Sequence, residues 1–444
     1  MDRSVPALTL VVLLTATACD EIPEDPLFDS TPSSREAAVP MATVARIDLG
    51  TLGGASSYAT DVNDLGTVVG WSTTAAGGTR AFRWTITQGM TDLGTLPGDD
   101  WSRAVSITNT GEILGVSGRA DDVAGSPVVW TPSGTATPLS IPLSQGSGFL
   151  LPENRNAADL VTGSTGGGSH PSHAWAWSAL LGLCDITAHL PDFSSTGFGE
   201  SYASDVNSWG VVVGTNHARV CTDPRAGGEC WHAFLWNALT GYRDIGIPVG
   251  NRLASAQVTG AAINALGVVV GWTSPRGAFP PLHAYVWHER TGFTTLPNFS
   301  ADTSSYGGYA EAVNLLGTAV GASEDPELGA IQAAAWPKAG GIVKLSPDDP
   351  NPSVAVAISG SGIVAGWSSL DCCGFVGNHA TLWKLGPGRG TTPPAATGVA
   401  ASPNAAIARA WSESAQLGPV ACLSNRAAVR SKASLVGCMV ESRY

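Results

Sequence analysis

Charged side chains are scarce in this chain of 444 residues, making up only 13% of it. That scarcity disfavours a protein built of helices with solvated faces. No run of basic residues occurs, and the formal net charge is -13. Without clustered Lys and Arg to neutralise phosphates, nucleic acid is not an expected partner. Apolar runs are short as well. Val5 to Leu14 is too brief to span a bilayer, and no later segment is long and apolar enough for a transmembrane helix. No CxxC pair is present to grip a metal. The GxSxG, HExxH and P-loop motifs are also missing. These gaps lower the odds of an enzyme without closing the case, since active sites are also assembled from scattered loops. No metal and no cofactor are expected.

What the chain has is glycine (54 residues), tryptophan (15) and a 43% hydrophobic fraction. Much glycine with little charge suits many short strands joined by tight turns, and the apolar fraction can fill a large core.

The first residues read as an address rather than as fold. Met1-Asp2-Arg3 precedes the short apolar stretch, which ends in Ala16-Thr17-Ala18, the small-x-small pattern of a signal cleavage site, followed by Cys19. Residues 1–18 are therefore expected to be a signal peptide. The arrangement resembles a bacterial lipoprotein signal, which implies lipidation of Cys19 and a membrane contact through the lipid anchor. Ala16 stands where such signals usually have Leu, and the n-region side chains carry no net positive charge. Plain secretion with the same cut, or no cleavage, is the alternative. Residues 19–44 mix Asp20, Glu21, Glu24, Asp25 and Asp29 with Pro23, Pro26 and Pro32, and read as a flexible tether.

Export permits disulfides. With Cys19 acylated, seven of the eight Cys remain, so at least one thiol is left over. Cys221 and Cys230 flank a turn-rich loop that a bridge would staple, and are expected to pair. Pairing of Cys422 with Cys438 stays open.

Internal periodicity decides the fold. A Trp recurs seven times, at Trp84, Trp130, Trp177, Trp236, Trp287, Trp336 and Trp383, with gaps of 46 to 59 residues. A Gly keeps step at Gly70, Gly115, Gly163, Gly214, Gly271, Gly321 and Gly366. Each unit reads as four short strands. The first carries a small residue: Ala59, Ala104, Pro152, Ala203, Gly260, Ala310 or Ala355. A turn such as Asn63-Asp64-Leu65-Gly66 follows, in which Asn accepts backbone N–H bonds and Gly tolerates positive φ. Four strands per period of this length predict an all-β, seven-bladed β-propeller over residues 45–387. A linear array of β-sandwiches would need capping units, and none is seen.

Ile47-Asp48-Leu49-Gly50-Thr51-Leu52 copies the fourth strand of a unit yet precedes the first unit. The seventh unit degenerates into Gly386-Pro387-Gly388 after three strands. Residues 45–52 are therefore expected to complete the last blade and close the ring, removing both sheet edges.

Asp48-Leu49-Gly50-Thr51-Leu52-Gly53-Gly54 and His232-Ala233-Phe234-Leu235-Trp236 resemble the signature of the HAF family of bacterial extracellular repeats. The likeness covers roughly residues 45–387, with unit three the poorest fit, and implies export without naming a reaction. Residues 388–444 form a C-terminal tail whose opening looks like a truncated fibronectin type III domain.

His173, His232, His283 and His379 occupy one blade position, and Asp48, Asp92, Asp185 and Asp244 another. Equivalent positions are spread around a ring and cannot converge, so both sets are read as structural, the Asp set as making within-blade hydrogen bonds. The Trp series is read as core between blades. Length variation gathers in the loops joining strands two and three and in those linking blades, which share one face. Loops on a rigid scaffold carry recognition, so Asp99, Asp100, Trp101, Tyr306 and Tyr309 are the candidate binding residues for an extracellular protein or glycan. The expected function is an exported, membrane-anchored recognition or scaffold module, monomeric. The alternative is a hydrolase or lyase acting on extracellular polysaccharide, its carboxylates drawn from Asp99, Asp100, Glu200, Asp302, Asp348 and Asp349.

Overall fold

The computed structural model describes residues 46–122, 125–142, 149–166, 172–189, 200–218, 230–246, 257–274, 282–300, 307–371 and 377–385. Seven four-stranded antiparallel sheets form a ring of blades, with six of them spanning 53–92, 101–138, 149–185, 201–244, 257–295 and 308–344. The seventh takes Ser353–Ile358, Ile363–Ser369 and Asn378–Lys384 from the end of the ring and Arg46–Asp48 from its beginning.

Closure therefore works as the sequence predicts. Arg46, Ile47 and Asp48 pair with Trp383, Leu382 and Thr381, and the Leu49 N–H donates to the Ala380 carbonyl at 2.9 Å. The closing strand, Arg46–Asp48, is shorter than expected, because the chain turns at Gly50 (φ 73°) and Leu52 already donates its N–H to Ser72 of the first blade.

No single core exists. The buried side chains divide into seven slabs, one between each pair of neighbouring blades. The slab between blades seven and one holds Leu49, Ala59, Phe82 and Trp84 against Ala357, Ala365 and Leu382. The others repeat that plan around the ring. Six of the seven periodic Trp residues are buried in these slabs. In blade three the roles shift. Trp177 keeps the register, opposite Val161, but Trp175 is the fully buried ring, with Trp177 packed partly exposed against it.

The periodic Gly has a definite cause. Each one sits directly opposite the small residue of the inner strand, as Ala59 does to Gly70 and Ala203 to Gly214. A Cβ at any of the seven Gly would lie 1.9–2.2 Å from a carbonyl oxygen of the inner strand. Just beyond this pair, every inner strand carries a β-bulge. The bulge presses the two backbones together, and only Gly leaves room.

The turn Asn does more than organise its own turn. Asn207 Oδ1 accepts the Trp209 and Val211 N–H groups, as expected, and its Nδ2 donates to the Asn264 carbonyl of the next blade. Asn156, Asn264 and Asn314 do the same in series, and Asn63 reaches the Thr108 carbonyl. Asp64 joins blades one and seven by accepting the Gly360 N–H at 2.6 Å. In blade three, where the turn Gly is missing, Asp159 adopts a φ of 63°.

The recurring His and Asp turn out to be each other's partners. His173, His232 and His379 bond through Nδ1 to Asp185, Asp244 and Asp48 at 3.0, 2.7 and 2.9 Å. The second carboxylate oxygen of Asp48, Asp92 and Asp244 caps the N–H of Gly50, Gly94 and Gly246, each at positive φ. That is the physical content of the Asp-Leu-Gly motif: a third-to-fourth strand clasp, a buried apolar residue and a turn.

Candidate functional site

The bulges create the central feature. Each leaves one residue of the inner strand unpaired: Thr60, Val105, Glu153, Ser204, Ala261, Glu311 or Val356. All seven line a cavity of about 560 Å³ on the ring axis. Five are neutral and two are glutamates. Glu153 and Glu311 stand on blades three and six, on opposing walls of the seven-fold ring.

Solvent within the channel reaches both glutamates, Glu153 more than Glu311, while protein surrounds them. That enclosure strips away part of their hydration and pushes each carboxyl up to about 7. Among the described residues no Lys, Arg or His lines the cavity to offset their charge.

Asp61 and Asp205, one residue further along their strands, also face the cavity but have structural partners. Asp61 accepts the Val62 N–H and, from the next blade, the Ile107 N–H, both at 2.7 Å. Asp205 accepts the Val206 and Ile263 N–H groups at 2.7 and 2.8 Å and the Asn154 amide at 2.5 Å. Burial lifts Asp61 to about 7 and Asp205 to about 6, although these N–H bonds pull the other way. They act as staples between blades.

Inner strands run from the loop face toward the turn face, so the residue before each small one stands nearer the loops. These positions, with their partners on the second strand, form a collar of half-buried rings above the channel. Tyr58 stacks on Trp71 with centroids 4.4 Å apart and meets Trp367 of the seventh blade edge-on at 6.0 Å. The Arg103 guanidinium lies 4.7 Å over Trp71. Trp272 of blade five meets Tyr309 of blade six edge-on at 5.9 Å. In blade four Tyr202 faces Trp231, which stacks on His217 at 4.7 Å. Tyr202 and Trp272 also line the cavity, so collar and channel are continuous.

The candidate residues named from sequence stand in different settings. Tyr309 belongs to the collar. Trp101 extends it outward: Arg103 lies 5.9 Å from its ring, and its indole N–H donates to the Arg119 carbonyl at 2.8 Å. Asp99 accepts from the Ser117 hydroxyl and Asp100 from the Ala120 N–H, so both carboxylates tie the loop between blades to the end of the second strand of blade two. Glu200 accepts from the Tyr202 hydroxyl, and Asp349 is held by Arg46. None of these loop carboxylates, nor Asp348, lines the axial cavity. Tyr306, Asp302, Cys19 and Cys221, and the side chain of Cys230, lie outside the described residues. Cys184 is buried in the slab between blades three and four. Among the described residues no group of three or more His, Cys, Asp or Glu could hold a metal ion.

Glu153, Glu311 and most of the collar escaped the sequence reading. The available signal was a column of the repeat: a Glu appears twice, after the small residue, where the other five units place Thr, Val, Ser, Ala and Val.

No family model matches this chain, and no curated protein does. Solved propellers resemble it in fold. The β-propeller domain of the Trilobed protease from Pyrococcus furiosus aligns at 8% identity and a TM-score of 0.48, over 74% of this chain and 94% of that one. Dipeptidyl peptidase 4 of Porphyromonas gingivalis aligns at 11% and 0.40, over 72% and 57%. Aleuria aurantia lectin in complex with alpha-methyl-L-fucoside aligns at 11% and 0.35, over 67% and 98%.

Proposed function

We propose that this chain is an exported recognition or scaffold propeller of the HAF type, tethered to the membrane by lipid on Cys19, which binds an extracellular glycan at the loop-face mouth of its axial channel. The observation that carries the reading is the continuity of the aromatic collar with the channel. Half-buried rings from blades one, four, five, six and seven surround one opening. Saccharide rings offer apolar C–H faces that stack on aromatic faces, and rigid aromatics cost little entropy to order. A cavity of about 560 Å³ lies in the range of small-molecule sites. A glycan array probed with the full chain and with Trp71→Ala tests it. Selective saccharide capture that falls at least tenfold in the variant supports the reading; capture of envelope proteins alone, indifferent to Trp71, refutes it.

A second reading, glycan cleavage, draws on Glu153 and Glu311, whose raised carboxyls suit a general acid near neutral pH. Release of reducing ends from a bound glycan, abolished by Glu311→Gln, would favour it.

A further inference from the structure

The channel under the collar is a second recognition element whose chemistry differs from that of the collar. A neutral saccharide would need donors and acceptors there. The structure offers some, among them Thr60, Ser204 and Thr259, but adds two carboxylates, Glu153 and Glu311, and no basic side chain among the described lining residues. Asp61 and Asp205 are engaged by backbone N–H groups of neighbouring blades, which leaves Glu153 and Glu311 as the acidic groups available to a ligand. Glu311 is half-buried in the channel wall, and a carboxylate held there is stabilised by a partner that donates or carries positive charge.

A small metal ion is a poor match. It needs several oxygens within one coordination sphere, whereas these two glutamates stand on walls three blades apart. An organic ammonium fits better. It donates up to three hydrogen bonds from one atom, and aromatic faces welcome it. Trp272 and Tyr202 line the same cavity. Blade six sets both requirements in one strand: Tyr309 stands in the collar, and Glu311, two residues on, projects into the channel.

We infer that the glycan is an amino sugar polymer with free amines, its rings held by the collar and separate ammonium groups received by Glu311 and by Glu153. This rests on the glycan reading above and sharpens it to a ligand class. The general physics allows a lysine-rich peptide to supply the same ammonium. The collar favours the saccharide, because it offers stacking faces where a lysine chain needs only a narrow passage.

The test is calorimetric titration of the full chain at neutral pH with a glucosamine hexasaccharide, its fully N-acetylated counterpart, cellohexaose and hexalysine. The expected result is tightest binding of the glucosamine hexamer, weakened about tenfold or more by N-acetylation. Glu311→Gln and Glu153→Gln, which keep shape and remove charge, should each lower affinity for the free-amine hexamer about tenfold and narrow its margin over the acetylated one. A melting temperature at pH 8 no lower than the parent's reports that the variants are folded. Equal binding of acetylated and free-amine hexamers, insensitive to both Gln variants, overturns the amine assignment and leaves the glycan reading standing. Binding of hexalysine with no saccharide overturns both. Absence of binding by every probe overturns both as well.

Discussion

Asn207 donates its side-chain amide to the main-chain carbonyl of Asn264, 57 residues later, at 3.1 Å. The same bond runs onward from Asn264 to Asn314 and from Asn314 to Ser359. A residue that looks like a local turn former is a link in a belt joining neighbouring blades. In Asn264→Ala the Asn314 carbonyl and the Leu266 and Val268 N–H groups all lose a partner. The expected loss is about 1–3 kcal/mol by denaturant titration, against no change if the turn is held by its backbone alone.

Glycines with different jobs should respond differently to the same change. In Gly214→Ala the new methyl would stand 2.2 Å from the Tyr202 carbonyl oxygen and 2.6 Å from the Phe234 ring. The strands must part, at about 3 kcal/mol or more. Gly267 sits at a φ of +78° with open space around it, so Gly267→Ala should cost only about 1 kcal/mol. Equal costs would contradict the bulge account.

Closure of the ring can be weakened at one buried side chain. Leu49 follows the closing strand and is 5% exposed between blades seven and one. Leu49→Ala should destabilise by about 2–4 kcal/mol. Leu65, 81% exposed on a tight turn, is the control, and Leu65→Ala should stay within about 0.5 kcal/mol of the parent. A Leu49→Ala protein with the parent melting temperature would mean that the first strand does not close the ring.

The channel carboxyls set a pH dependence whose sign is fixed. Asp61, Glu153, Asp205 and Glu311 have folded-state values of about 6 to 7, above those of the unfolded chain. The folded state therefore binds their protons more tightly, and the stability they contribute is full below about pH 4 and lost as pH rises through about 7. His173, raised by its bond to Asp185, acts in the same direction. The His232 bond holds Asp244 low despite its burial, so its contribution is lost only on acidification. The melting temperature should fall between pH 5 and pH 8. Combining Glu153→Gln with Glu311→Gln should flatten that slope and raise the melting temperature at pH 8 by about 1–3 °C. A slope unchanged in the double variant would show that these carboxyls are ordinarily solvated.

The fold was legible because two residue types repeat for mechanical reasons. Trp fills the slab between blades, and Gly survives only where the bulge leaves no room, so both keep phase through seven units. The closing strand was legible because its Asp-Leu-Gly performs the same clasp as its copies, with His379 supplied from the other end of the ring. The site was harder to see. Glu153 and Glu311 occupy a repeated position with unrepeated chemistry, and attention to the recurring His and Asp pointed away from them. Loop length pointed to Asp99 and Asp100, whose carboxylates accept from Ser117 and Ala120 of the same blade. Trp177 misled for a local reason, since two Trp share one strand and the structure buries the earlier one.

Binding at the loop-face mouth of the channel is the claim on which the functional account stands, and two tryptophans on opposite faces test it. Trp272 lies in the collar beside Tyr309, while Trp209 is 43% exposed on a tight turn of the other face. Calorimetric titration of the saccharide selected by the array into Trp272→Ala and Trp209→Ala should show at least a tenfold loss in the first and parent affinity in the second. Full affinity in Trp272→Ala together with a loss in Trp209→Ala would place the ligand on the turn face and contradict the account.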